Sequence, residues 1–480
     1  MTRKLGAAAA LAGALLLADC AVNPATGKQQ LVLISEAQEI QLGRENDEVI
    51  QSQMGSYDDA ALQKYVSDLG HKLAAISERP GLDWNFRVVD DPVINAFALP
   101  GGYIYITRGI LAHLESEAEL ASVMGHEIGH VTARHSVSQM SKAQLAQFGL
   151  GLGSILAPTR TQQLGGLIES GLGLAFLKFG RDDERQADDL GLRYIVRAGY
   201  DARPMAGVYD MLARVSAGEG GAVPSWMSTH PAPENRMSRI EAQLAALGRD
   251  FSGLPVGREE FLRRIDGIEF GEDPRQGYFK GGVFYHPGMR FRMDFPDGWR
   301  TENMQQAVVG IGGDQAAIVQ LTLASEATAQ AALGKFFAEQ GVTRTGPAMG
   351  SIGGFPTAGD GFTATIQAGA IRGRVGYVEY GGRVLQLLGY ALQERWAEYE
   401  PAIRASLASF TELTDPAALQ VEPQRLKVVA LSTPTTLEEF ARRHGSTVPL
   451  DRLALINRVD PGARLEAGRS YKVITGGAAP

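Results

Sequence analysis

Apolar residues return every three or four positions at Leu62, Tyr65, Val66, Leu69 and Leu73, a spacing that predicts a helix with one buried face. Ser35 and Gln38 form a capping-box pair that opens an earlier helix. Between Asn95 and Thr107 apolar and aromatic residues flank Leu99-Pro100-Gly101-Gly102, which predicts a β-hairpin. Ser116 with Glu119 opens a further helix, to which Leu120, Val123, Met124, Ile128 and Val131 give a broad apolar face. Gly125 and Gly129 lie inside that helix, where each costs about 1 kcal/mol relative to alanine. Their presence predicts close approach by a neighbouring element. The apolar, glycine-rich stretch from Leu145 to Phe179 is interrupted by Gly149, Pro158, Arg160 and Glu169, so no run reaches the roughly 18 residues of a membrane helix. A mobile helix pair covering a site and plain core helices both fit it.

After Leu247 the composition changes. A linker is expected over 249–277, including the charged run Arg258 to Arg264. Short strands with glycine turns and a helix near Ala329 to Gln340 are expected over 278–415. That region carries no catalytic constellation, and its His286 reads as structural or solvated. Residues 416–480 comprise a second linker, Pro416 to Pro423, and a strand-helix-helix-strand module with helices at Leu437 to Arg443 and Leu450 to Asn457. The fold class is α+β. A mainly helical domain with a small hairpin or sheet spans 21–248, followed by a smaller α+β domain and the βααβ module.

At the amino terminus Arg3 and Lys4 precede an apolar run from Leu5 to Ala18, the length of a signal-peptide core, so residues 1–20 read as a secretion signal. Cys20 is the only cysteine, which rules out an internal disulfide in the mature chain. With 480 residues, 44% of them hydrophobic, the chain can build two or three cores. A net charge of -8 without a basic stretch gives no footprint for nucleic acid.

Chemistry is concentrated in His126-Glu127-Ile128-Gly129-His130 and Glu184-Arg185-Gln186-Ala187-Asp188. Histidines four apart on a helix can reach one metal ion, and Glu127 at the edge of that face is placed to act as a general base. With 8 histidines in the chain, such a pentapeptide arises by chance on the order of 0.01 times. A catalytic zinc needs a third protein ligand, for which Glu184 is the best candidate.

Together with Asn95-Ala96-Phe97-Ala98-Leu99-Pro100-Gly101-Gly102 and Ser228-Thr229-His230-Pro231, these motifs resemble the gluzincin family of CAAX-prenyl-protease-like and HtpX-like zinc metallopeptidases, in particular its soluble periplasmic, outer-membrane quality-control branch. The resemblance runs from about Asn23 to Leu247. It implies one Zn(II) per chain held by His126, His130 and Glu184, with Glu127 as general base and Asp188 accepting the free ring N–H of a ligand histidine. His230 could do either of two opposite things: stabilise the oxyanion, or coordinate the metal and block the site. It could also be a plain loop residue. Arg236 could contact the oxyanion or a substrate carboxylate, or pair with an acid on its own helix. The hairpin is expected to offer an exposed strand for β-pairing with an extended substrate.

Leu17-Ala18-Asp19-Cys20 resembles a bacterial lipoprotein cleavage site, although Asp19 departs from the small residue usual there. Lipid on Cys20, followed by Ala21, implies the inner leaflet of the outer membrane. Phe291 to Trp299 weakly resembles the opening of PsbP-like domains. Asn457 and Leu465-Glu466-Ala467-Gly468 resemble a LysM module without its Gly-Asp, where Pro434 and Thr435 stand. The implied partners are unfolded or misassembled envelope proteins, the outer-membrane assembly machinery and peptidoglycan. The other function class is an envelope scaffold or chaperone-like lipoprotein with a silent metal site.

Overall fold

The local signals act where the pattern puts them. Helix α1 (Glu36–Met54) starts at a reciprocal cap: the Ser35 hydroxyl accepts from the Gln38 amide at 3.3 Å, and the Gln38 side chain accepts from the Ser35 amide at 2.9 Å. Helix α2 (Ala60–Ala74) buries Leu62, Val66, Leu69 and Leu73, while Tyr65 sits at the rim and donates to Glu117. These elements belong to a computed structural model that describes residues 20–153, 178–218, 226, 230, 236–304, 306–346, 350–366 and 368–477. Residues 1–19 of the signal stretch, 154–177 of the apolar stretch, and Ser228, Thr229 and Pro231 lie outside the described residues. Among the described residues no helix is long and apolar enough to cross a membrane.

Two compact units are present, one running through Gly271 and resuming at Arg425–Thr475, the other formed by Glu272–Gln424 and the last few residues. The first opens with a small hairpin of β1 (Cys20–Val22) and β2 (Gln29–Leu31). Its three-stranded sheet has β5 (Tyr103–Thr107) in the middle, parallel to β3 (Asn85–Val89) and antiparallel to β4 (Ala96–Leu99). Gly101 and Gly102, with φ of +81° and +104°, make the β4–β5 turn in a region closed to most side chains. Alternation divides the hairpin between two cores. Ala96, Ala98, Ile104 and Ile106 join the main core, whereas Phe97, Leu99, Tyr103 and Tyr105 pack with Ile50, Met54 and Met140. The expectation of an exposed strand is therefore corrected: all four residues of β4 are buried. Only its backbone edge is left without a strand partner among the described residues.

Helices α3 (Arg108–His113), α4 (Glu117–Thr132), α5 (His135–Gly153), α6 (Arg181–Arg197), α7 (Pro204–Gly218) and α8 (Arg236–Ala246) complete the helical part. The stretch expected as a linker over 249–277 instead contains α9 (Arg258–Ile265), which buries Phe261, Leu262 and Ile265, and β6 (Glu269–Phe270). Three apolar residues among charges look like a linker until a neighbouring core covers them. Strand β6 lies beside Gln424–Ala430, which lies beside Ser470–Gly476, so the strand-helix-helix-strand segment shares the first unit's core and is not separate from it. Lys472 is fully buried. Its ammonium donates to the carbonyls of Ala112, Leu114 and Ile456 and pairs with Glu115 at 2.9 Å, satisfying acceptors at the end of α3.

In the second unit a seven-stranded antiparallel sheet runs in the order Arg300–Asn303, Ala307–Ile311, Ala317–Ala324, Arg383–Leu392, Gly369–Tyr380, Thr357–Ile366, Thr343–Arg344. Three of these strands have 10 to 12 residues, longer than the short strands expected. Glycines that look like turns lie inside them because neighbours crowd the backbone: a Cβ on Gly373 would meet the Phe362 ring, and one on Gly389 would meet Ile403 of helix Trp396–Ala408. His286 accepts from the Met289 amide at 3.1 Å, and burial pushes its pKa down to about 4, in keeping with a structural role. The expected linker Pro416 to Pro423 contains one helical turn, Pro416–Leu419.

Candidate metal centre

Helix α4 starts at Ser116, whose hydroxyl accepts from the Glu119 amide, with Glu117 and Glu119 at the positive end of the helix dipole. Helix α6 crosses it at backbone contact. A Cβ on Gly125 would stand 3.3 Å from Gly191, one on Gly129 3.1 Å from the Ala187 carbonyl, and one on Gly191 3.0 Å from the His126 nitrogen. The two α4 glycines thus make the room their sequence cost foretold. This close crossing brings Glu184 and Asp188, one turn apart on α6, to the histidine face of α4.

His126, His130, Glu184 and His230 are fully buried, and one donor atom from each lies within 4.8 Å of the others. The Nε2 atoms of His126 and His130 are 3.0 Å apart, and Glu184 lies 3.6 Å from the first and 3.4 Å from the second. The Nδ1 of His230 sits 2.9 Å from Glu184 Oε1 and 3.3 Å from His126 Nε2. The outer ring nitrogen of His126 faces Asp188 Oδ1 at 3.0 Å. A ring N–H given to Asp188 leaves a lone pair on the inner nitrogen, aimed at the other donors. Imidazole lone pairs and a carboxylate converging in a buried site suit a divalent cation, and this donor set suits zinc.

Glu127 is fully buried. Its Oε1 accepts from the Trp226 indole at 3.5 Å, while its Oε2 has no hydrogen-bond partner. Burial raises its pKa to about 8, with Glu184 adding to the rise, which suits a group that takes and returns a proton near neutral pH. Burial alone would raise Glu184 as well, but His230, His130 and His126 outweigh it and hold the carboxylate well below its usual range. Asp188 is held down to about 2 against burial by the Arg236 charge and the His126 hydrogen bond. Burial lowers His126 to about 3 and His135 to about 4, so both rings are neutral.

Arg236 does not pair on its own helix. It donates to Glu184 at 2.9 Å and to Asp188 at 3.0 Å, both on α6, and lies over the rings of Tyr209 and Trp226. Tyr209 in turn donates to Asp188 at 2.6 Å. The arginine thereby balances two buried carboxylates.

Every residue singled out in the sequence for the metal, the base or their support thus converges on one site. Sequence reading missed His135, Gln186, Tyr209, Trp226 and Phe179, whose ring stacks on His130 at 4.0 Å between centroids. His135 and Gln186 left a trace, since each lies next to or within a motif. Trp226 and Tyr209 left none, because nothing local marks a residue that arrives from a remote part of the chain.

A buried histidine-histidine-glutamate set beside an unpartnered glutamate oxygen, on two helices in backbone contact, defines a metallopeptidase-type centre. Residues 60–244 match the model of Peptidase family M48. It is 36% identical over 187 residues to the mitochondrial metalloendopeptidase OMA1 of Arabidopsis thaliana, covering 39% of this chain and 36% of that protein. It is 33% identical over 187 residues to the putative beta-barrel assembly-enhancing protease of Vibrio cholerae, covering 38% of each. The beta-barrel assembly-enhancing protease of Escherichia coli K12 is 31% identical over 220 residues, 43% of each. The chain spans less than half the length of these relatives. Among solved structures, cyanobacterial PsbP from Synechocystis aligns with 28% of this chain at 10% identity and a TM-score of 0.23, too slight a likeness to carry an argument.

Proposed function

We propose that the chain is a zinc-dependent endopeptidase of the bacterial cell envelope that hydrolyses misfolded or stalled envelope proteins. The observation that carries this is the buried four-donor cluster with the unpartnered Oε2 of Glu127 beside it. His126, His130 and Glu184 would hold the metal, and zinc there would supply Lewis-acid polarisation and an activated water. Glu127 takes the proton of the attacking water through Oε2 and returns it to the leaving amine, while Trp226 keeps Oε1 fixed. Asp188, steadied by Arg236 and Tyr209, keeps His126 in the ligating tautomer.

Substrate binding falls to the edge of β4 that has no strand partner among the described residues, although the strand's residues are buried. Thr107 donates to the Asn95 carbonyl, so in the antiparallel alternation Ala96 and Ala98 turn their amide groups away from β5. Backbone pairing there takes an extended segment with little regard to its side chains, as clearance of varied unfolded proteins requires. The relatives named for β-barrel assembly support outer-membrane assembly as the setting. A periplasmic address with lipid on Cys20 rests on the signal core and the residues before that cysteine. A docking role for the strand-helix-helix-strand segment 425–475, toward peptidoglycan or protein, rests on the resemblance of Asn457 and Leu465-Glu466-Ala467-Gly468 to a LysM module.

His230 favours a held-off form of the same enzyme, since its Nδ1 stands among the ligand atoms. The test is cleavage of casein by the zinc-loaded mature chain. Glu127→Gln lowers the rate by about 10²- to 10⁴-fold, chelation abolishes cleavage, and His230→Ala raises it by about tenfold, roughly 1.4 kcal/mol off the barrier. Casein left intact by both wild type and His230→Ala with zinc bound would refute the peptidase and favour the scaffold.

A further inference from the structure

His126 and His130 must each present a bare Nε2 to a metal, so each must carry its proton on Nδ1. For His126 the carboxylate of Asp188 decides this. The partner of His130 is another histidine: Nδ1 of His130 lies 3.0 Å from Nδ1 of buried His135, at the first position of α5. Two imidazole nitrogens can share one proton in either direction, so the pair alone does not say which ring donates.

The direction is set further out. The Asn23 side-chain oxygen accepts from the amides of Ala25 at 2.9 Å and Thr26 at 3.2 Å, which commits its NH₂ group to the other side. The two hydrogens of that NH₂ face three acceptors, the Gln30 side-chain oxygen at 2.9 Å, the Ala133 carbonyl at 3.2 Å and, through a shared hydrogen at 3.4 Å, the side-chain oxygen of Gln186. Gln186 therefore turns an acceptor inward, 2.7 Å from Nε2 of His135. His135 must carry its proton on Nε2, so its Nδ1 is an acceptor and His130 must be the donor. The lone pair of His130 Nε2 then points to Glu184 and His126.

We propose that His135 is a positioning residue for His130, and that its tautomer is set through Gln186 by Asn23 of the turn between β1 and β2. The inference rests on the zinc reading, which it deepens. It makes the hairpin that begins at Cys20 part of the metal site's support, since Asn23 and Gln30 both bind the Ala133 carbonyl where α4 ends.

The test measures zinc affinity of the mature chain by competition with a chromophoric chelator, alongside ¹⁵N-histidine NMR of the zinc-free protein. His135→Phe fills the space without an acceptor and weakens zinc binding by about 10- to 100-fold. His135→Asn, whose side-chain oxygen can stand near the position of Nδ1, recovers most of that loss. In the wild-type spectrum His130 is protonated on Nδ1 and His135 on Nε2. Unchanged affinity in His135→Phe, or His135 protonated on Nδ1 in a wild type that binds zinc, overturns the assignment of His135 alone. A wild type that binds no zinc overturns the zinc reading and this inference with it. The spectrum needs no variant, so a misfolded His135→Phe leaves the test intact.

Discussion

The two units handle polar groups in opposite ways. The first buries charge: Glu39, Arg79, Arg108, Glu127, Glu184, Asp188, Arg236 and Lys472 are all inside. The second buries hydrocarbon around Phe284, Phe291, Phe295, Ile403, Leu407 and Phe410, and among its described residues the buried carboxylates are Asp273 and Asp360. Burying ions costs free energy unless each is paired, so a unit that does it repeatedly is built around chemistry rather than stability alone. The contrast teaches where to look for function.

The largest break in that contrast comes from Arg236→Leu, which removes the cation that balances two buried carboxylates. The zinc-free first unit should lose about 5 kcal/mol, read as faster amide hydrogen exchange confined to that unit. If exchange there is unchanged, Arg236 does not support the charged core. Next comes Phe410→Ala, which empties a wholly apolar core position. The second unit should lose about 3 to 4 kcal/mol, while zinc affinity, measured by chelator competition, stays at the wild-type value. A fall in affinity would mean that the units share more than their boundary suggests.

The smallest effect concerns Glu115. Burial would raise its pKa, but the charges of Lys472 and Arg258 outweigh that and lower it from the ordinary 4.5. A carboxylate with a depressed folded-state pKa stabilises the fold above its ordinary pKa, and the benefit disappears as the pH falls through the folded value. Glu115→Gln should therefore be less stable than wild type at pH 7 by about 1 to 3 kcal/mol. The gap should close on acidification below about pH 4.5, as followed by urea unfolding at a series of pH values. A gap that persists in acid would assign the loss to packing.

The sequence by itself determined what depends on neighbours along the chain. The 3.6-residue period placed α2 and α4, capping residues marked the starts of α1 and α4, and the Pro-Gly-Gly turn located the hairpin. Spacing of four on one helix face put His126 with His130 and Glu184 with Asp188, and two costly glycines in α4 announced the crossing by α6. These rules are local because backbone geometry repeats over one turn or one strand pair. Only the tertiary structure decided the rest. Residues 425–475 joined the first unit's core, the hairpin was buried on both faces, Arg236 took its partners from α6, and Asn23 reached Gln186 and, through it, His135 and His130. In each case the deciding partner is remote in the chain, and periodicity does not constrain which remote surfaces meet. The proton on a buried histidine follows the same logic: it is set by whatever lies on the far side of the ring.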